Sequence, residues 1–169
     1  MANLNIGDKV IYGAQGIMTL VDCRQEPIGD EMKLYYVLSG AETATEALTF
    51  VPTDSERLTA LIKPLLSREA LGEQLSGFDK STLPEWLESS RARQEAFRKV
   101  LELGNRRDVL GVVYLIRESG KRRLAEGKKN FISDENILKR AEKILSDEIS
   151  LVFGITEEEA IKMIDNAIE

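Results

Sequence analysis

The sequence predicts an α+β protein, a small antiparallel β-domain followed by a compact all-helical domain. Two observations carry that expectation. Over the first 65 residues, short stretches rich in β-branched and aromatic residues alternate at the period of strands, with Gly, Pro and acidic clusters between them. After Ser67 the apolar residues recur at the three-to-four spacing of helices. The expected division is residues 1–66 as the β-domain, 67–82 as a short helix and hinge, and 83–169 as the helical domain.

The strand candidates run in order through KVIY, IMTLVDC, MKLYYVL and ALTFVP. LTALIKPLLS is a fifth, confined by Pro64 to an edge or an end because proline has no amide hydrogen for a ladder. Five short strands without helical spacers predict a strongly bent antiparallel sheet or barrel. The sequence GAQG, Gly13–Gly16, raises the question of a phosphate cradle. No lysine follows the second glycine as a Walker loop requires, and the glycine loop of RNA-binding KH modules joins two helices rather than two strands. It is read as a hairpin turn.

Beyond it, Ser67 caps the helix of SREALGEQLSG, which stops near Gly77, and GFDKST follows as the hinge. Four helices are then expected at Pro84–Leu103, Asn105–Leu124, Asp134–Val152 and Glu157–Ile168. Pro84 suits a first turn, Gly104 a C-terminal stop, and Ser133 with Asp134 and Glu135 an N-terminus. Thr156 and Glu159 form a capping box.

Composition narrows the function classes. At 43% hydrophobic and 31% charged the chain reads as an ordinary globular protein, and no apolar run approaches the roughly 18 residues of a membrane span. MANLNIGDKV lacks the charged-then-apolar layout of a secretory leader. The single cysteine, Cys23, excludes an intramolecular disulfide and reads as a small strand residue, so a cytoplasmic protein is expected. No histidine is present, which removes the commonest general base and the commonest metal ligand together. With no Walker loop, nucleotide fingerprint or spaced carboxylate pair, neither catalysis, cofactor, metal nor small-molecule substrate is expected. The net charge of −6 is segregated: residues 84–130 carry 12 basic and 7 acidic side chains, a net +5, between acidic flanks. A basic middle segment is the footprint of an anionic partner.

On helical projection, at about 100° per residue, Trp86, Ser90, Phe97, Val100 and Leu101 share one side of the first long helix. Arg91 and Arg98 share another stripe, and Arg93 falls beside the Trp86–Phe97 face, where its stem can lie on a ring. Trp86, in the first turn, either packs on a neighbouring helix or stands out as an aromatic wedge. The next helix buries Val109, Val112, Val113 and Ile116, while Arg107, Tyr114 and Lys121 recur every seven residues on its other flank, with Arg117 nearby. KRRLAEGKK then supplies Lys121, Arg122, Arg123, Lys128 and Lys129. Basic side chains interleaved with tyrosine suit phosphate contacts. In the third long helix Glu148 lands inside the apolar face of Ile137, Ala141, Ile144, Leu145, Leu151 and Val152. A buried carboxylate needs a partner, so an ion pair or hydrogen bond with a basic residue of a neighbouring helix is expected.

Taken in order, IGDKVIYGAQGI, YYVL, FVP and KPLLS resemble the RNA-polymerase-interacting domain of the CarD/CdnL transcription regulators, a domain shared with the transcription-repair coupling factor. The helical half is similar too, through a tryptophan and arginines opening its first helix, KVLELGN, GKK, DENILKRAEKIL and DEISLVFGI. The resemblance implies a Tudor- or SH3-like β-domain that docks on the polymerase β subunit, with Thr49, Phe50 and Val51 of EALTFVP as candidates for that contact. It implies a helical domain at promoter DNA, at the upstream edge of the melted bubble, that adjusts open-complex stability. Trp86 matches the tryptophan wedged against the minor groove; Arg91, Arg93, Arg98, Arg107, Tyr114, Lys121 and Arg122 are the accompanying DNA-contact candidates. A bacterial, cytoplasmic protein drawn to the nucleoid through polymerase follows.

The chain departs from the family pattern in a segment after Trp86 about one helical turn longer, in YGAQG where Tyr-Pro is more frequent, and in Phe50 near a common arginine position, which implies a divergent branch. The competing expectation is a protein-interaction adaptor whose helical domain oligomerises or binds protein without touching DNA.

Overall fold

The structure, a computed structural model, describes residues 3–40 and 47–169. Met1, Ala2 and residues 41–46, among them Glu46 of EALTFVP, lie outside the described residues. The architecture is α+β: a five-stranded antiparallel sheet comes first in the chain and helices follow. The chain divides into two compact units, Met1–Leu65 and Leu66–Glu169.

In the first unit β1 (Lys9–Tyr12), β2 (Ile17–Ile28), β3 (Glu31–Gly40), β4 (Leu48–Pro52) and β5 (Ile62–Pro64) assemble in the order β4-β3-β2-β1-β5. Gly13–Gly16 is the turn between β1 and β2: the Tyr12 amide donates to the Gly16 carbonyl at 2.9 Å, and Gly13 and Gly16 both take positive φ, 49° and 81°. Those angles explain the two glycines without an anion. An extra residue in β2 shifts the register between Leu20 and Asp22, so Val21 faces outward while Leu20 stays in the core. Val10, Tyr12, Met18, Leu20, Leu38 and Val51 form that core, with Leu4, Tyr36, Leu58, Leu61 and Ile62 packed on it. The segment LTALIKPLLS is only partly strand. Ser55 accepts a hydrogen bond from the Leu58 amide and caps a one-turn helix, α1 (Glu56–Thr59), before β5 pairs with β1 and ends at Pro64 on the sheet edge.

The second unit comprises α2 (Arg68–Ser76), α3 (Ser90–Leu103), α4 (Arg106–Ala125), α5 (Ile132–Phe153) and α6 (Glu157–Ile168). α2 packs against α4, α5 and α6, so residues 67–76 are part of the bundle rather than a free-standing connection. Asn105 caps α4 by accepting from the amides of Arg107 and Asp108, and Gly104 ends α3 in the left-handed region. The α6 capping box is complete, with Thr156 and Glu159 each accepting from the other's amide. α5 begins at Ile132, two residues before the expected start.

The larger departure is α3, which begins at Ser90 instead of Pro84. A helix continuing through this stretch would give the Leu87 and Glu88 carbonyls to the amides four residues on. Both instead accept from the Arg93 guanidinium, at 2.7 and 3.3 Å. Ser89 caps the shortened helix by accepting from the Ala92 amide.

Glu148 of α5 is buried, and its basic partner is Arg106 at the start of α4. Arg106 Nε and Nη2 donate to its two oxygens at 2.9 and 2.7 Å, and the Leu66 amide donates to Oε1 at 3.1 Å. Removing one side of such a pair strands the other in a low-dielectric interior. Glu148→Leu is therefore expected to cost about 3–5 kcal/mol in urea unfolding, whereas Arg106→Met with Glu148→Leu recovers most of that loss. Equal destabilisation by the single and double variants would show that the Leu66 bond, not the ion pair, carries the effect.

Candidate functional site

The sheet edge β4 holds the expected partner-binding residues, and strand alternation separates them. Phe50 points outward at 40% exposure, as does Leu48, while Val51 is 0% exposed within the core. Val51 is thereby removed from any outward contact, because a period of two sends it to the face opposite Phe50. Thr49 is half-buried and donates to Gln15 Oε1 at 3.3 Å. Phe50 meets the Tyr35 ring edge-on at 6.2 Å, and Arg24 of β2 stands 5.3 Å from its centroid. Glu26 and Asp22 hold that guanidinium in place, at 2.6 and 3.4 Å. Among the described residues, no strand pairs with the outer edge of β4.

In the helical unit the segment before α3 carries Trp86. Its indole is half-buried and lies outside any helix, rather than in a first helical turn. It packs between Phe97, with centroids 6.1 Å apart, and the Arg93 guanidinium, 4.3 Å from its centroid. Arg93 is 1% exposed and makes a bidentate pair with Asp134 of α5, Nη2 to Oδ2 at 2.8 Å. A guanidinium 1% exposed and committed to Asp134 and two carbonyls is out of reach of an external phosphate, so Arg93 is a positioning residue and not a DNA contact. The same guanidinium lies 5.3 Å from the Phe131 ring, and Arg123 of α4 lies 3.9 Å from it. Trp86, Arg93, Phe131 and Arg123 thus form one cation–aromatic array across three helix ends.

Around this array the end of the helical unit is basic and apolar. Arg91, Arg122, Lys128, Lys129, Phe131 and Ile132 are exposed there, Phe131 by 40%. The basic tract is partly self-neutralised. A hydrogen bond to Glu118 raises the pKa of Lys121, and one from Lys128 lowers that of Glu126. Arg98 is exposed on α3, seven residues along from Arg91.

The other two expected contacts are elsewhere. Arg107 lies in the first turn of α4, 14 residues before Lys121, which at about 1.5 Å per residue is roughly 21 Å along the helix. Its Nη2 donates to the Glu73 carbonyl at 3.4 Å. Tyr114 is half-buried against Phe78, at 6.0 Å, with Lys80 over its ring. Arg117 is also internal, bridging α4 to Glu142 of α5 and Asp165 of α6; burial opposes its charge, but the two carboxylates hold its pKa above the ordinary value.

Phe131 is the residue of this surface that helix-face reading missed. The signal was present, since it follows GKKN directly and is the aromatic nearest in sequence to the lysines. Among the described residues no helix is long and apolar enough to cross a membrane. No family model matches this chain, and no curated protein matches it.

Arg93→Met is expected to cost about 3–5 kcal/mol by leaving Asp134 unpaired in the interior. It should also release Trp86, read as a red shift of the emission of the only tryptophan. Arg93→Met with Asp134→Leu should regain stability but keep the red shift, because Leu87 and Glu88 have still lost their donor. Native-like emission in both variants would mean that Phe97 alone fixes the indole.

Proposed function

We propose that this protein is a non-enzymatic transcription regulator of the kind its sequence resembles. The β-unit, read as Tudor- or SH3-like, binds the RNA polymerase β subunit through β4. The helical unit touches promoter DNA near the upstream edge of the transcription bubble and changes open-complex stability. The observation that carries the reading is the outer edge of β4, which no strand among the described residues pairs, with Phe50 and Leu48 facing outward. An exposed strand edge is a template for main-chain pairing with another protein, and a flanking aromatic gives that pairing specificity.

Further support comes from Arg24 over Phe50, which gives this surface the arginine its strand lacks. At the helical end, Trp86 and Phe131 stand among Arg91, Arg122, Arg123, Lys128 and Lys129. Aromatic wedges among phosphate-binding cations fit a duplex opened at a junction.

Phe50→Glu should abolish binding to an isolated β-lobe fragment while leaving the thermal midpoint near that of the parent, since the ring is not in the core. Undiminished affinity would end the β4 assignment.

On forked promoter DNA, log K against log salt should fall steeply. Arg122, Lys128 and Lys129 replaced together by glutamine should flatten the slope by up to about one unit per lost contact, whereas Arg107→Gln, at the far end of α4, should leave it unchanged. Trp86→Ala should retain polymerase binding and lose most of the effect on open-complex lifetime. A parent with no salt-dependent DNA binding would favour the adaptor reading, in which the helical unit meets only protein.

A further inference from the structure

Beside the Trp86–Arg93 array, the helical unit contains a groove of about 530 Å³ between the Gly77–Leu87 segment and helices α3 and α4. Its interior is formed by Phe78, Leu83, Phe97, Val100, Val112 and Leu115. Gly111 on α4 lets Leu83 lie close: a Cβ there would stand 2.6 Å from Leu83 Cδ2, so a larger residue would require the Leu83 side chain to turn aside. The volume lies in the range that receives one or two bulky side chains or a small ligand.

Its mouth is acidic. Among the described residues, Asp79, Glu85 and Asp108 border it with one cation, Arg107, whose Nη2 is turned to the Glu73 carbonyl. The Asp79 carboxylate accepts from the Ser81 amide. Among the described residues, the carboxylates of Glu85 and Asp108 have no hydrogen-bond or ion-pair partner. A predominantly apolar cleft rimmed by unpaired carboxylates is complementary to an apolar group flanked by cations.

We propose that this groove binds a peptide segment of a partner protein, with one or two bulky apolar side chains seated in the cleft and lysine or arginine on either side meeting Glu85 and Asp108. The proposal does not rest on the polymerase and DNA reading, which uses neither the apolar cleft nor the carboxylates of Glu85 and Asp108.

Trp86 is a built-in reporter, lying between two groove residues in sequence and packed against Phe97. The test titrates the full chain with three synthetic nonapeptides: a Leu-Leu-Phe core flanked by lysines, the same core flanked by glutamates, and a serine core flanked by lysines. The lysine-flanked apolar peptide should shift Trp86 emission saturably and move the amide resonances of Gly77 and Gly111, with the other two roughly tenfold weaker or more. Ala96→Phe, which fills the groove from α3, should abolish the response. The exposed pair Glu85→Gln with Asp108→Asn, which leaves the packing untouched, should erase the preference for lysine over glutamate flanks. Silence of both emission and amide shifts with every peptide would overturn the proposal. Equal binding of the glutamate-flanked peptide, or unchanged binding by a folded Ala96→Phe variant, would do the same.

Discussion

The burial of one charged side chain, Arg93, organises the part of the helical unit where its most distinctive surface lies. Its position in α3 places it among Trp86, Phe97 and Phe131, where an unpaired guanidinium would be very costly. Asp134 removes that cost, and the remaining donors go to the Leu87 and Glu88 carbonyls. Three consequences follow from this one set of bonds. α3 begins at Ser90 with the Leu87 and Glu88 carbonyls turned to Arg93, the N-terminal end of α5 is tied to α3, and the indole of Trp86 lies against a cation. A lysine could not do the same, since it lacks the planar fork that meets a carboxylate and two carbonyls together.

A second buried pair secures the opposite end of α4. Arg106 and Glu148 join α4 to α5 there, and Arg117 ties the middle of α4 to α5 and α6. Such pairs add little net stability over well-packed apolar residues, but they penalise wrong packing severely, because any misregister buries an unpaired charge. They tie α4 to α5 at two points along its length and to α6 at one.

The two units present surfaces of different chemistry. The β-unit offers main-chain hydrogen-bonding groups along β4 with an aromatic and an arginine beside them, which suits a protein partner. The helical unit offers cations and two aromatic rings at one end and an acid-rimmed apolar groove that runs from beside Trp86 to the start of α4. The cations are tempered by Glu118 and Glu126, so this is a surface for contacts at defined positions more than a uniform field that attracts any polyanion. In a chain of net charge −6 the cations are thus concentrated locally, as the proposed DNA contact requires.

The sequence by itself determined the two-part order, the strand and helix periods, the turn at Gly13–Gly16, the capping of α6 and the need for a partner at Glu148. Each of these is local or follows from one residue's chemistry: a glycine that must adopt positive φ, a hydroxyl placed before a helix, a carboxylate on an apolar face. Only the tertiary structure decided that Val51 is core while Phe50 is exposed, that Arg93 is interior, and that Arg107 and Lys121 lie far apart on one helix. Heptad spacing put Arg107, Tyr114 and Lys121 on one flank, but a flank 21 Å long, by roughly 1.5 Å per residue, passes several different neighbours. Helical projection likewise could not show that Arg93 would find Asp134, 41 residues away. Whether an arginine faces water or a carboxylate is decided by what the fold brings opposite it, and periodicity along the chain carries no information about that.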